Sequence, residues 1–186
     1  MKRVDSRIRN LFSLLESADK NEQFASFAQL MEVTCFPVEW AYEVWDHLKA
    51  ELRSPNHHTR SRAAQFLCHL AISDPEKRVL TDFPAVWKVT KDEKFVTARH
   101  ALQSIWRIGL AGEEQKQMVL EALKTRFLQC TEEKNYTLIR FDIIQGIRNL
   151  YDQLQENDLK EQAMEWVQAE DNEKYQKKYA SVWKTV

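Results

Sequence analysis

One pattern of apolar residues recurs three times along this chain, and it restricts the fold more than any other feature. Leu67, Ile105 and Ile147 become equivalent once steps of 38 and then 42 residues are allowed. Around them Ala64, Leu102 and Ile144 align, as do Leu70, Ile108 and Leu150. Each set follows helical spacing, so each marks one buried stripe of an amphipathic helix. Between the stripes run partner segments with the same period: Trp40–Leu52, Val79–Val89 and Met118–Phe127. A unit of about 40 residues that holds two helices cannot bury its apolar stripe alone. It buries it against the next unit.

The rest of the chain agrees with an all-helical reading. Almost no stretch alternates with period two. Only three glycines and four prolines occur in 186 residues, too few for the turns of a sandwich or barrel. A helix is predicted from near Asp5 with Ile8, Leu11, Phe12 and Leu15 inward. Asn21 is expected to cap a second helix that turns Phe24, Phe27, Ala28 and Met31 inward. Pro37 suits the first turn of the next helix, and SPNHHT (54–59) reads as a turn. SDPE (73–76) reads as a helix start, and Pro84 is expected to kink or divide the helix that follows. Gly109 and Gly112 close the Ile105 helix. Helices are then expected from about Glu114, over 138–151 and from about Asp158. The organisation is one domain over 1–186: an N-terminal helical pair (1–36), repeats (37–154) and a C-terminal cap (155–186).

DEKFVTARHAL (92–102) resembles the signature of the HEAT-repeat, armadillo-like family: an acidic turn, an apolar residue, an arginine, then small and aliphatic residues. HTRSRAAQFL and TLIRFDII are weaker copies, and the likeness runs over about 37–154. It implies a right-handed α-solenoid of antiparallel helix pairs, about four pairs plus a C-terminal capping helix. It implies a scaffold or binding role and no enzymatic activity.

The same offsets align polar residues on the second helix of each pair. His100 matches Arg62 and Asp142, Gln103 matches Gln65 and Gln145, and Arg107 matches His69 and Asn149. In HEAT solenoids the second helices line the concave surface, so this stripe is the candidate binding face. Its residues are Arg62, Gln65, His69, His100, Gln103, Trp106, Arg107, Gln145, Arg148 and Asn149. These helices carry Arg60, Arg62, Arg99, Arg107, Arg140 and Arg148 against few acids, chiefly Asp142 and Asp152. Two readings stand side by side: a working face, or a solvated helix exterior with Arg60, Arg99 and Arg140 paired to turn acids such as Asp92.

Other constellations carry less. Trp40, Trp45 and Trp87 fall on apolar stripes and read as core, while Trp106 neighbours the polar stripe. His57 and His58 with His69 lack the spacing of a metal site, so no metal or other cofactor is expected. No nucleophile elbow, phosphate loop or dinucleotide fingerprint occurs. Tyr175, Tyr179 and Val182 mark an amphipathic last helix, read as a cap or, through Lys174, Lys177 and Lys178, as a basic partner-binding helix.

Cys35, Cys68 and Cys130 are odd in number and widely spaced, which fits a reducing, cytoplasmic compartment. The opening MKRVDSRIRNLF does not read as a secretory signal, and no apolar run approaches a membrane span. The formal net charge is −1, so bulk charge drives the chain toward neither nucleic acid nor membrane. A protein partner is expected, with oligomeric state left open. The rival is a nucleic-acid-binding protein, including one like the alkylpurine DNA glycosylases with a HEAT-like fold. There Trp87, Trp106, Asp142 and the arginines would line a basic groove, but no catalytic motif matches residue by residue.

Overall fold

A computed structural model describes residues 5–184; the opening MKRV and residues 185–186 lie outside the described residues. Ten α-helices and no strand occur among the described residues. They are α1 (Ser6–Leu14), α2 (Lys20–Val33), α3 (Ala41–Glu51), α4 (His57–Leu70), α5 (Arg78–Val89), α6 (Phe95–Ser104), α7 (Glu113–Gln129), α8 (Tyr136–Leu154), α9 (Asn157–Gln168) and α10 (Glu173–Ala180). Helix α6 continues as a 3-10 segment, Ile105–Ala111. Neighbours in the chain pack as α1 with α2, each helix from α3 to α6 with the next, and each from α7 to α10 with the next, while α7 packs on the 3-10 extension of α6; α4, α6, α8 and α10 also pack in succession. The odd-numbered helices α3, α5, α7 and α9 touch more lightly in the same order.

The core sits between these two rows. Leu67, Ile105 and Ile147 are all fully buried, each beside its aligned neighbours Leu70, Ile108 and Leu150. Trp45 is buried with them, while Trp40 and Trp87 are partly buried against the same core. Burying large side chains of this kind contributes roughly 1.5–3 kcal/mol each, which offsets the ordering of so many helices.

Several local expectations are overturned, each for a physical reason. Asp19, not Asn21, caps α2: its carboxylate accepts the Asn21 N–H at 2.8 Å. Of the four residues expected inward on α2, Phe27 and Met31 pack against the core and the other two do not. Phe24 is 74% exposed and Ala28 is exposed, while Leu30, Ser26 and Thr34 point into the core. Pro37 lies in the connection, and α3 begins only at Ala41. SPNHHT is half turn and half helix, because Asn56 caps α4 and puts His57 and His58 in its first turn.

Asp74 does cap the start of α5 by accepting the Val79 N–H at 2.7 Å, but Lys77 intervenes in the left-handed region at φ 54°. Helix α5 then runs through Pro84 undivided. Pro84 lies on the exposed side, where water can meet the carbonyl it leaves without an internal donor. Gly112, at φ 151°, ends the 3-10 extension of α6 as a backbone that favours glycine.

Candidate functional site

Arginines on α4, α6 and α8 tie each pair of helices to the next. Arg60 forks onto Asp92 in the connection before α6, at 2.6 and 2.9 Å. Arg99 of α6 forks onto Asp142 of α8, at 2.6 and 2.8 Å. Arg140 of α8 donates to Glu170, in the connection before α10, at 2.7 Å and to the Phe127 carbonyl at 2.9 Å. Hydrogen bonding to Arg60 holds the Asp92 carboxyl below the usual carboxylate range. The turn acids are therefore mortar between helix pairs.

The candidate stripe divides into locked and open members. Arg62 is locked: it donates to the Leu15 carbonyl at 2.5 Å and to Glu16 at 2.7 Å, clamping the end of α1 onto α4. Arg148 is buried rather than displayed. It pairs with Asp152 at 2.7 Å, donates to the Val182 carbonyl at 3.2 Å and lies over the Trp183 ring. It therefore anchors the C-terminal segment and does not stand beside the glutamines. Tyr179 is fully buried against Phe127, so α10 does cover the end of the core.

His69 is buried too, and its Nδ1 lies 3.2 Å from the Thr34 hydroxyl. That hydroxyl gives its proton to the Leu30 carbonyl at 2.8 Å. It can therefore only accept from the imidazole, which assigns the proton to Nδ1. Burial first, and Arg107 second, push His69 down to about 3. His69 is a neutral structural histidine at neutral pH. Thr34 carried no mark in the sequence beyond its place at the end of α2.

The open members are Gln65, His100, Gln103, Gln145, Asn149 and, partly buried, Trp106 and Arg107. Trp106 lies against Gly146 of α8, and the Arg107 guanidinium lies 5.2 Å from its ring centre. Gln145 and Asn149 bond each other at 2.9 Å. His100 is exposed, with Nδ1 3.4 Å from the Ser61 hydroxyl. Desolvation and neighbouring cations hold both His58 and His100 below the usual histidine range: His57 and Arg62 act on His58, Arg99 on His100.

Arg107 differs from every other arginine on α4, α6 and α8 and their extensions. The other five are paired with Asp92, Glu16, Asp142, Glu170 and Asp152. Arg107 makes no ion pair or hydrogen bond among the described residues, and its Nε is enclosed without a partner. Asp142 is 3% exposed, engaged by Arg99 and by Gln103 at 3.0 Å, so it is no free carboxylate. Trp87 lines a different surface, a hollow of about 540 Å³ between α5 and α7 that includes Met118 and Arg126. A second hollow of about 300 Å³ lies among α1, α3 and α4, lined by Phe12, Leu48 and Phe66. No group of three or more metal-ligating side chains converges among the described residues. No described helix is long and apolar enough to cross a membrane.

No family model matches the chain, and no curated protein matches it. Solved structures do. The chain is similar to an engineered protein known from a crystal structure, at 16% identity and a TM-score of 0.54, over 96% of this chain and 80% of that one. A second engineered protein gives 0.48 at 16% identity over 88% and 47% of the two chains. A third gives 0.47 at 14% identity over 96% and 95%. The first likeness supports the all-helical fold and says nothing of activity.

Proposed function

We propose that this chain is a non-enzymatic binding scaffold, a HEAT-like right-handed α-solenoid that docks a partner protein on the face formed by its even-numbered helices. The observation that carries this reading is Arg107. Six arginines stand on α4, α6, α8 and their extensions, and five are paired with acids, four of them between elements and Arg148 with Asp152 of its own helix. The sixth, in the 3-10 extension of α6, is left with an enclosed nitrogen and nothing to bond. A partly desolvated guanidinium without an acceptor is costly in the free chain, and a partner that supplies one removes that cost on binding. Trp106 beside it adds apolar area, and an arginine next to a tryptophan is the usual composition of an interface anchor.

Two further features suit the reading. The open residues are polar and at least partly exposed, a composition suited to the rim of a protein interface. The buried thiols of Cys68 and Cys130 are pushed up by burial, so they are inert side chains suited to a reducing cytoplasm.

The test is affinity capture from native lysate, with and without nuclease, using the wild-type chain and Arg107→Glu. The reading expects a protein captured in both nuclease conditions and lost with the substitution, while the melting temperature is kept. Capture abolished by nuclease, or indifferent to Arg107→Glu, contradicts it.

A further inference from the structure

We propose that the occupant of this face is an extended, acidic segment of a partner polypeptide, with one of its carboxylates paired to Arg107 and its backbone N–H groups donating to the side-chain carbonyls of Gln65 and Gln103. The proposal rests on the reading of the even-helix face as the working surface, and it specifies the chemistry of what lies there.

The direction of the glutamine hydrogen bonds is fixed by their partners. Gln65 places an amide atom 3.2 Å from the Ser61 carbonyl, and a carbonyl only accepts. Gln103 places one 3.0 Å from an Asp142 oxygen, and a carboxylate only accepts. Both bonded atoms are therefore Nε2, and Oε1 is the atom left over in each. Neither Oε1 receives a hydrogen bond among the described residues. Two neighbouring helices thus each carry one glutamine acceptor that no described residue fills. A phosphate backbone brings only acceptors to such a surface and is repelled by it. A polypeptide backbone brings one N–H donor per non-proline residue.

Spacing selects the shape of that polypeptide. Packed helices such as α4 and α6 stand about 8–10 Å apart. A chain in the polyproline-II conformation advances about 9.3 Å in three residues and returns every third N–H to the same side. It also leaves its backbone groups unbonded internally, free to meet the two rungs. A three-residue register with non-proline residues at the rungs follows.

Charge selects the composition. Arg107 follows Gln103 by four residues and stands in the 3-10 extension of α6. The acids of α8 named above, Asp142 and Asp152, are already spent on Arg99 and Arg148. The guanidinium fork matches one carboxylate in a bidentate pair. An acidic segment meets an unpaired cation and no unpaired acid here.

The experiment is a displayed library of random dodecapeptides panned against the full chain, followed by fluorescence anisotropy of the enriched peptides. The variants are Arg107→Gln, Arg107→Lys and Gln65→Met, each checked by thermal melt. The expected result is enrichment in Asp and Glu, binding at least tenfold weaker in Arg107→Gln, and an intermediate loss in Arg107→Lys, which keeps the charge but not the fork. Gln65→Met is expected to weaken binding about threefold. Enriched peptides that are not acidic, yet lose binding in Arg107→Gln, overturn the acidic occupant and leave the face standing. Peptides indifferent to all three substitutions overturn both readings, and so does the absence of enrichment. A 20-nucleotide single-stranded DNA that binds tighter than any enriched peptide, and depends on Arg107, overturns the polypeptide occupant.

Discussion

Replacing His69 with glutamine should remove a defined part of the acid sensitivity of this chain. His69 is 6% exposed, bonded to Thr34, and held at about 3 by burial and by the nearby Arg107. In the unfolded chain its pKa returns to about 6.5. The folded value is the lower one, so between the two the unfolded chain binds more protons. Stability from this group is then complete above about 6.5 and drains away as pH falls toward 3. At pH 5 the unfolded histidine is almost fully protonated and the folded one almost fully neutral. Linkage makes the loss between pH 7.5 and pH 5 about 2 kcal/mol. Glutamine keeps a donor for the Thr34 hydroxyl and has no proton to gain. The assay is urea unfolding of both proteins at pH 7.5 and pH 5. The expected result is that wild type loses about 2 kcal/mol more than His69→Gln, because the other titrating groups cancel in the comparison. Equal losses in the two proteins would refute the buried, neutral histidine.

Four other outcomes are expected. Ile105→Ala, in the middle of the repeated stripe, should cost about 2–5 kcal/mol in denaturant unfolding. Asp142→Ala strips the acceptor from Arg99 and Gln103 and should cost about 2–3 kcal/mol by the same measurement, with Arg99 relieved in part by its solvent contact. Arg148→Ala should speed hydrogen exchange across 173–183 and leave α4 and α6 protected, because its contacts are to the C-terminal segment. Arg107→Gln should keep or raise stability in denaturant unfolding, since it breaks no pair and removes an enclosed guanidinium nitrogen that lacks an acceptor.

The core was legible because apolar periodicity reports burial directly. Leu67, Ile105 and Ile147 were aligned by pattern, and all three are fully buried. Helix α2 is read only in part from its apolar residues: Phe27, Leu30 and Met31 pack on the core, but Phe24 faces out while Ser26 faces in. Such a helix is placed by its neighbours and not only by its own stripe. The polar face was legible as a row of positions but not as a set of bonds. Gln65, Gln103 and Gln145 were found by alignment, whereas the capture of Arg62 by Glu16 and of Arg148 by Val182 joins residues 46 and 34 positions apart. No local pattern encodes such pairs. The Arg60–Asp92 pair was foreseeable from the turn acids, and the same logic extends to Glu170, but not to Asp142, which lies within α8. Arg107 could be recognised only by elimination, after every other arginine of α4, α6 and α8 had found its acid.

Site-directed photocrosslinking tests the central claim most directly. A benzophenone side chain at Gln103, on the even-helix face, is compared with one at Glu121 of α7, which is also exposed. After irradiation in native lysate, the account predicts a discrete protein adduct from position 103 that survives nuclease, disappears with Arg107→Glu and is absent from position 121. The same adducts from both positions, or an adduct at 103 that persists in Arg107→Glu, would contradict it.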